Sequence, residues 1–314
     1  MLTKIFLPFL LILKVTFVVC SQPISMQTEK DGIWIKDGNQ RVFFYQKLPK
    51  SLDSKYSRSN YLHPVFGLDG EILTEDFPAD HRHHRGIFWI WHQLWLDSLR
   101  LGDPWMCENF SQEVTNVSFS KGQHSTGILA VKVMWKSPLW LKNSIQSAVV
   151  FENTKITVFP VEKDCRRIDF RIELKALEKG IRIGGSQDEK GYSGFSVRMP
   201  LVPGMKFTSG DANIVPQNLA VTAGPEMDFS GAVGKAGKLA GIMMVSHTSN
   251  PDLPQKWIIR KEKSMQNCAW PGNRTAEIKV SEPLILNYSV IIHRGDATNT
   301  GLQMIREQIL GDKF

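Results

Sequence analysis

The sequence predicts an all-β protein, a large antiparallel β-sandwich with a short C-terminal helix. Short segments of alternating apolar and polar residues recur along the chain, and glycine and proline turns separate them. Neither a repeating strand–helix pattern nor a glycine-rich phosphate loop is present. Because no linker rich in proline or serine divides the chain, we expect residues 23–314 to form a single domain.

The strands are predicted from local patterns. Residues 33–35 and 42–45 flank the turn at 36–39, which indicates a hairpin. Residues 128–135 alternate loosely, whereas apolar and charged residues alternate without a fault along 167–174. One face of that strand should therefore pack while the other meets water. Further strands are predicted at residues 145–151, 154–160, 194–199, 240–246 and 284–292.

One amphipathic helix is predicted near the end of the chain. Leu302, Ile305, Ile309 and Leu310 fall at helical spacing after Gly301. The rest of the chain has no comparable pattern, so the fold class is all-β.

Residues 1–22 have the pattern of an export signal. Lys4 supplies the positive charge that precedes the apolar run at 5–13, and Lys14 makes the run too short to span a bilayer comfortably. Cys20 resembles a lipoprotein site, at which the thiol is lipidated; the alternative is cleavage after Cys20 to release a soluble protein. Both alternatives predict a periplasmic or cell-surface protein. In the first, the lipid on Cys20 would be its only membrane contact.

Histidines and tryptophans are concentrated in one part of the sequence. Five of the eight histidines lie between residues 63 and 92, and four of the nine tryptophans lie between residues 89 and 105. Titratable groups are costly to bury, so such a cluster indicates a functional site.

A metal site is one interpretation of this cluster. If residues 80–85 are extended, His81 and His83 face the same side, with Cα atoms roughly 6–7 Å apart. Both imidazoles could then bind one divalent metal ion, with a third ligand from elsewhere in the chain. Three histidines are candidates for that ligand: His63, His247 and His293.

Metal-free chemistry is the second interpretation. His83 or His84 would serve as a general base, and Asp80 would hold the tautomer of a histidine. Arg85 would bind a carboxylate or stabilise an oxyanion.

Further residues are predicted to contact a substrate. Tyr192 and Arg198 would line the cleft, together with His63. Trp89 and Trp91 lie on one face of the next strand and could stack on a sugar ring; the alternative is that both belong to the core.

Several segments resemble a bacterial family whose members are labelled PmoA family or DUF6807 family proteins. They are residues 62–64, 74–86 and 191–198, and Asp-x-x-His-His-Arg-Gly within 80–86 is the most specific motif. Arg82 stands where that family more often has proline. The resemblance implies a secreted or periplasmic β-sandwich from bacteria that degrade polysaccharides, and it suggests the galactose-mutarotase-like supersandwich by fold-level analogy.

These observations lead to a carbohydrate-active enzyme as the main hypothesis, acting on a glycoside or an oxidised sugar. Lyase or mutarotase chemistry needs only a histidine and a cation, whereas no spacing identifies the carboxylate pair of a hydrolase. The net charge of +7 over 314 residues gives no reason to expect a nucleic-acid partner. A non-catalytic carbohydrate-binding surface lipoprotein is the alternative.

Overall fold

The computed structural model describes residues 23–311, and strands dominate it. The first strands are β1 (Ile24–Thr28), β2 (Gly32–Asp37), β3 (Gln40–Gln46), β4 (Lys50–Leu52), β5 (Lys55–Arg58), β6 (Tyr61–Val65), β7 (Ile87–Trp91), β8 (Gln93–Leu96) and β9 (Leu99–Gly102). The middle strands are β10 (Ser111–Lys121), β11 (Gly127–Lys142), β12 (Ile145–Val158), β13 (Cys165–Ala176), β14 (Ile181–Gly184) and β15 (Ser193–Val197). The last elements are β16 (Lys206–Ser209), β17 (Ala212–Asn213), β18 (Val221–Thr222), β19 (Glu226–Gly231), β20 (Ala240–Ser246), β21 (Lys256–Ile258), β22 (Gln266–Ala269), β23 (Thr275–Glu277), β24 (Leu284–Arg294) and the helix α1 (Thr300–Gly311).

Two large antiparallel sheets form the sandwich. Within residues 23–311, sheet 1 has nine strands in the order β1-β2-β3-β6-β7-β15-β22-β21-β18. Sheet 2 also has nine strands, in the order β10-β11-β12-β13-β24-β20-β19-β16-β17. A smaller sheet, β23-β14-β8-β9, lies beside them. The prediction of an all-β antiparallel sandwich is therefore confirmed.

Aromatic side chains from both sheets fill the space between them. The ring of Trp89 on β7 lies 5.8 Å from Phe170 on β13, and Phe195 on β15 lies 4.5 Å from Tyr288 on β24. All four side chains are buried. Rings of this size bury large apolar areas, so this cluster is a main source of the attraction between the sheets.

A carboxylate is buried within the same core. Glu152 on β12 has no exposed surface, and its Oε1 accepts hydrogen bonds from Trp89 Nε1 at 2.8 Å, Asn60 Nδ2 at 2.9 Å and Thr154 Oγ1 at 2.7 Å. Its Oε2 accepts a bond from Trp135 Nε1 at 2.8 Å. Because Trp89 belongs to sheet 1 and Trp135 to sheet 2, Glu152 ties the two sheets together.

The C-terminal helix forms where the apolar spacing predicts it. Leu302, Ile305 and Ile309 are buried in a cluster with Met243 of β20 and Ile291 of β24, on the outer face of sheet 2. The helical prediction is confirmed, and the helix covers a face that would otherwise expose apolar residues.

The strand predictions agree with the structure except at their ends. The predicted segments at 145–151 and 154–160 join into the single strand β12, and 128–135 is the first half of β11. The predicted signal peptide at 1–22, including Cys20, lies outside the described residues. No helix among residues 23–311 is long and apolar enough to cross a membrane.

Candidate active site

The histidine-rich segment folds as turns in the connection between β6 and β7. The amide of His84 donates to the carbonyl oxygen of His81 at 2.9 Å, and the amide of His81 donates to that of Pro78 at 3.1 Å. These bonds replace the extended conformation considered for residues 80–85, so the face assignment based on strand alternation is wrong.

The turns bring three imidazole rings into contact. The rings of His81 and His84 stack in parallel with centroids 4.7 Å apart, and the ring of His83 lies edge-on to His84 at 4.5 Å. A fourth histidine, His92, follows β7 and stacks on Trp105 at 5.2 Å. Trp105 also lies edge-on to His84, so it links His92 to the three other rings.

These rings form one wall of a cavity of about 290 Å³, which we call the histidine pocket. The pairing of the strands explains its other wall: β15 pairs with β7 and β14 pairs with β8, so the loop between β14 and β15 passes beside His92. The pocket is lined by His81, His83, His84, His92, Trp105, Ser186, Asp188, Lys190, Tyr192 and Ser264.

Two of the four histidines are held by carboxylates. His81 Nδ1 donates to Asp80 Oδ2 at 2.7 Å, and His92 Nδ1 donates to Asp103 Oδ2 at 2.9 Å. A carboxylate can only accept, so each bond fixes a proton on Nδ1 and orients the ring. The hairpin of β8 and β9 brings His92 and Asp103 together, because these residues directly flank its two strands.

Arg198 fixes the carboxylate of Asp80. Its two terminal nitrogens donate to the two oxygens of Asp80 at 2.9 and 2.8 Å, and its Nε donates to Glu75 Oε2 at 2.7 Å. Burial alone would raise the pKa of Asp80, but the hydrogen bonds from Arg198 and His81 outweigh it and lower the pKa to about 2. Asp80 therefore stays ionised and orients His81, while Arg198 supports the site from behind.

Burial keeps the other two histidines neutral. Desolvation, followed by the charge of Arg58, lowers the pKa of His83 to about 3. Desolvation also lowers the pKa of His84 well below its usual value. The Nδ1 atom of His84 has no hydrogen-bond partner in residues 23–311, although the residue is only 3% exposed. A buried polar atom without a partner carries a desolvation cost that the surrounding packing must offset.

The opposite wall presents a phenol, a carboxylate and an ammonium group. Arg260 donates to the hydroxyl oxygen of Tyr192 at 2.9 Å, so the phenolic proton points to another acceptor. Asp188 accepts from Ser186 Oγ at 2.6 Å, and Lys190 Nζ lies 5.9 Å from the Tyr192 ring centre. Sequence reasoning missed Arg260, because a run of charged residues on a glycine-poor loop is typical of a solvated surface.

Arg85 lies outside the pocket. It is fully buried, with its guanidinium 3.4 Å from the centre of the Phe77 ring and its Nε 3.4 Å from Asp76 Oδ1. It also donates to the main-chain oxygens of Arg82 and Tyr56. These contacts give it a role in holding the histidine turns, and they leave it no access to a substrate oxyanion.

Three further predicted contacts also lie elsewhere. Trp89 and Trp91 are 2% and 0% exposed and donate to Glu152 and the Trp270 carbonyl, so the core alternative holds for them and the stacking surface does not. His63 lies in a separate cavity, where its Nδ1 pairs with Thr74 Oγ1 at 3.0 Å. Of the predicted substrate contacts, Tyr192 lines the histidine pocket, whereas Arg198 is buried, does not line it and binds Asp80 and Glu75 instead.

The structure gives the proposed metal pair no third ligand. In the part of the chain that the structure describes, no group of three or more His, Cys, Asp or Glu side chains could hold a metal ion. His293 is buried against Asp228 at 2.7 Å, and His247 pairs with Ser289 at 2.9 Å, both away from the pocket that contains His81 and His83.

Fold and site together define an antiparallel β-sandwich with a histidine-lined pocket at one of its sheets. The chain belongs to the DUF6807 family, described as a family of unknown function, whose sequence model matches residues 33–305. That range includes every residue of the histidine pocket. No curated protein matches the chain.

Proposed function

We propose that the protein is a carbohydrate-active enzyme that binds a sugar in the histidine pocket and transfers a proton on it, by lyase or mutarotase chemistry. The observation that supports this function is the pair of carboxylate-held imidazoles, His81–Asp80 and His92–Asp103, at one cavity. An imidazole whose Nδ1 proton is fixed by a carboxylate presents Nε2 for proton transfer, the arrangement of a histidine general base.

The opposite wall supplies the complementary groups. Tyr192, whose oxygen already accepts from Arg260, would donate its proton to a leaving or ring oxygen. Lys190 would neutralise the carboxylate of an oxidised sugar, which makes the carbon next to that carboxylate easier to deprotonate. A base on one side and an acid on the other are the minimum that β-elimination or ring opening of a sugar requires.

Hydrolysis fits the pocket less well. A glycoside hydrolase commonly needs two carboxyl groups flanking the scissile bond. In the described residues, Asp188 is the only acid in the lining, since Asp80 and Asp103 face histidines.

Export completes the proposal. We infer from the pattern of residues 1–22 that the protein works in the periplasm or at the cell surface, anchored there by a lipid if Cys20 is modified. Membership of the PmoA family and a galactose-mutarotase-like supersandwich fold remain predictions from the sequence. A non-catalytic carbohydrate-binding lipoprotein is the competing function.

The test is product formation by the purified mature chain. Uronate-containing glycans would be assayed for the ultraviolet absorbance of an unsaturated product, and free aldoses for mutarotation by polarimetry. We expect His81→Ala and His92→Ala each to lower turnover by about 10²–10⁴-fold, the usual contribution of a general base.

His124→Asn is the matched control, because His124 is exposed in a turn with a left-handed backbone that asparagine tolerates. It should leave turnover unchanged. If sugars bind, no product forms and the histidine variants keep their affinity, the protein is a binding protein that does not use these histidines, and the enzymatic proposal fails.

A further inference from the structure

A second cavity lies next to the histidine pocket. It has a volume of about 250 Å³, and we call it the tryptophan pocket. The lining residues that matter for its chemistry are Glu189, Lys190, Asp252, Trp270, Asn273 and Arg274.

One loop forms the wall between the two cavities. Asp188 lines the histidine pocket, Glu189 lines the tryptophan pocket, and Lys190 lines both. The loop is held by its own hydrogen bonds, because Asp188 Oδ1 accepts from Ser186 Oγ at 2.6 Å and from the amide of Lys190 at 3.1 Å. The two cavities are therefore separated by one loop whose shape is held by its own hydrogen bonds.

The far side of the tryptophan pocket is hydrogen-bonded to the residues that flank the loop between β14 and β15. The amide of Gly185 donates to the Gly272 carbonyl at 2.9 Å, and the amide of Gly272 donates to Ser193 Oγ at 3.2 Å. Trp91 Nε1 donates to the Trp270 carbonyl at 2.8 Å. The segment that carries Trp270 is thus tied to both ends of the loop.

The polar groups of the tryptophan pocket suit a sugar. Asp252 Oδ2 accepts from Trp270 Nε1 at 3.0 Å and from Arg274 at 2.9 Å. These bonds fix the carboxylate, and the Asp252 side chain is 48% exposed, so a ligand can reach it. A fixed acceptor beside a guanidinium and the amide of Asn273 can bind neighbouring hydroxyl groups as acceptor and donor.

The sizes of the cavities favour one sugar ring in each. Pockets for drug-sized ligands measure about 300–1,000 Å³, and both cavities lie at or below the lower end of that range. The charges of their Lys, Arg, Asp and Glu linings also balance, since Lys190, Lys256 and Arg274 match Asp188, Glu189 and Asp252 in number. A chain of sugars that crosses the loop at Lys190 would fill both.

We propose that the tryptophan pocket is a second sugar subsite, so that the substrate is a glycan of at least two residues that spans Lys190. This inference rests on the proposed function, because it takes the histidine pocket as the subsite in which the reaction occurs. The residue in the tryptophan pocket contributes binding and position to the neighbouring ring.

The test compares glycans of increasing length by isothermal titration calorimetry. The probes are glucuronic acid, glucose, and uronate-containing and neutral oligosaccharides from disaccharide to hexasaccharide. We expect the best disaccharide to bind about tenfold more tightly than its monosaccharide, the effect of one or two added hydrogen bonds. Arg274→Ala and Asp252→Ala should abolish this gain and leave monosaccharide affinity unchanged.

Lys279→Ala is the matched control, because Lys279 also belongs to an exposed ion pair but lies outside both pockets. Arg274 is 67% exposed, so its variant should fold even if Asp252→Ala, which frees Trp270 Nε1, does not. Equal affinity for both lengths, or an equal loss for both in Arg274→Ala, would overturn the second subsite.

The outcomes separate the two proposals. Tight, length-dependent binding without any product supports the subsite and refutes the enzyme. Turnover of a monosaccharide with no gain from length supports the enzyme and refutes the subsite. If none of the probes binds, both proposals are refuted.

Discussion

Replacing Glu152 by glutamine should destabilise the protein strongly. The carboxylate accepts from Trp89, Asn60 and Thr154 on one oxygen and from Trp135 on the other. Glutamine has one acceptor oxygen, so its amide group must point at a donor whichever way it is turned. With the oxygen towards the three donors, the amide meets the indole N–H of Trp135.

The magnitude follows from what is lost. A buried donor without an acceptor costs about 1–3 kcal/mol, and hydrogen bonds to a charged group exceed neutral ones by about 1 kcal/mol each. Relief of the desolvation of a buried charge offsets part of this. We therefore expect Glu152→Gln to lower the free energy of unfolding by about 2–4 kcal/mol, which corresponds to a fall in Tm of about 4–12 °C for a domain of this size.

Urea unfolding followed by tryptophan fluorescence, with thermal unfolding by circular dichroism, would measure the change. The matched control is Glu113→Gln, which removes the carboxylate of an exposed ion pair with Lys136 on the same sheet. That variant should cost less than about 1 kcal/mol. If Glu152→Gln is no more destabilising than Glu113→Gln, the assigned role of Glu152 between the sheets is wrong.

Three other predictions concern the site. Asp80→Asn should lower turnover by about 10²-fold or more with little loss of fold, because an amide can turn its N–H2 group towards His81 Nδ1 and no longer fixes the proton on that nitrogen. Measuring kcat and a thermal melt would separate the two effects. Stability should decrease as the pH falls from about 6.5 towards 4, because the pKa of His83 is about 3 in the folded protein, so the unfolded chain binds more protons in that range. Urea midpoints at several pH values check this. His83→Gln should remove its own share of the dependence and leave that of His63 and His247, because burial lowers the pKa of each of these to about 4. Arg85→Met should cost about 1–3 kcal/mol, since it removes the hydrogen bonds that the buried guanidinium donates to the main-chain oxygens of Arg82 and Tyr56; a variant as stable as the native protein in urea would contradict this.

Local patterns were enough to predict the fold. The unbroken alternation along 167–174 fits a strand with one face in the core, and β13 has that burial pattern. The spacing of Leu302, Ile305 and Ile309 likewise defines the buried face of α1. In both cases the period of the apolar residues is itself the physical cause of the packing.

The sequence predicted some of the residues that belong to the site, but it did not predict their arrangement. Clustering in sequence identified His81, His83 and His84, but their geometry depends on turn hydrogen bonds that alternation does not describe. The pairing of His92 with Asp103 depends on the register of β8 and β9. The two residues are eleven positions apart, and this spacing alone does not reveal that they meet.

The remaining differences between the sequence-based predictions and the structure concern charged residues that are buried. Arg85 and Glu152 are charged residues that ordinarily lie at the surface, so their buried positions depend on partners that are distant in sequence.

The histidine pocket draws its walls from widely separated parts of the chain, from His81 on one side to Tyr192 and Ser264 on the other. Contacts of such long range form only after the intervening chain has closed its loops, which makes them slow to appear during folding. Ligand binding during refolding should therefore return with the last kinetic phase, after most β-sheet signal has recovered. A nascent chain that ends before β15 has no complete cavity and gains none until synthesis continues.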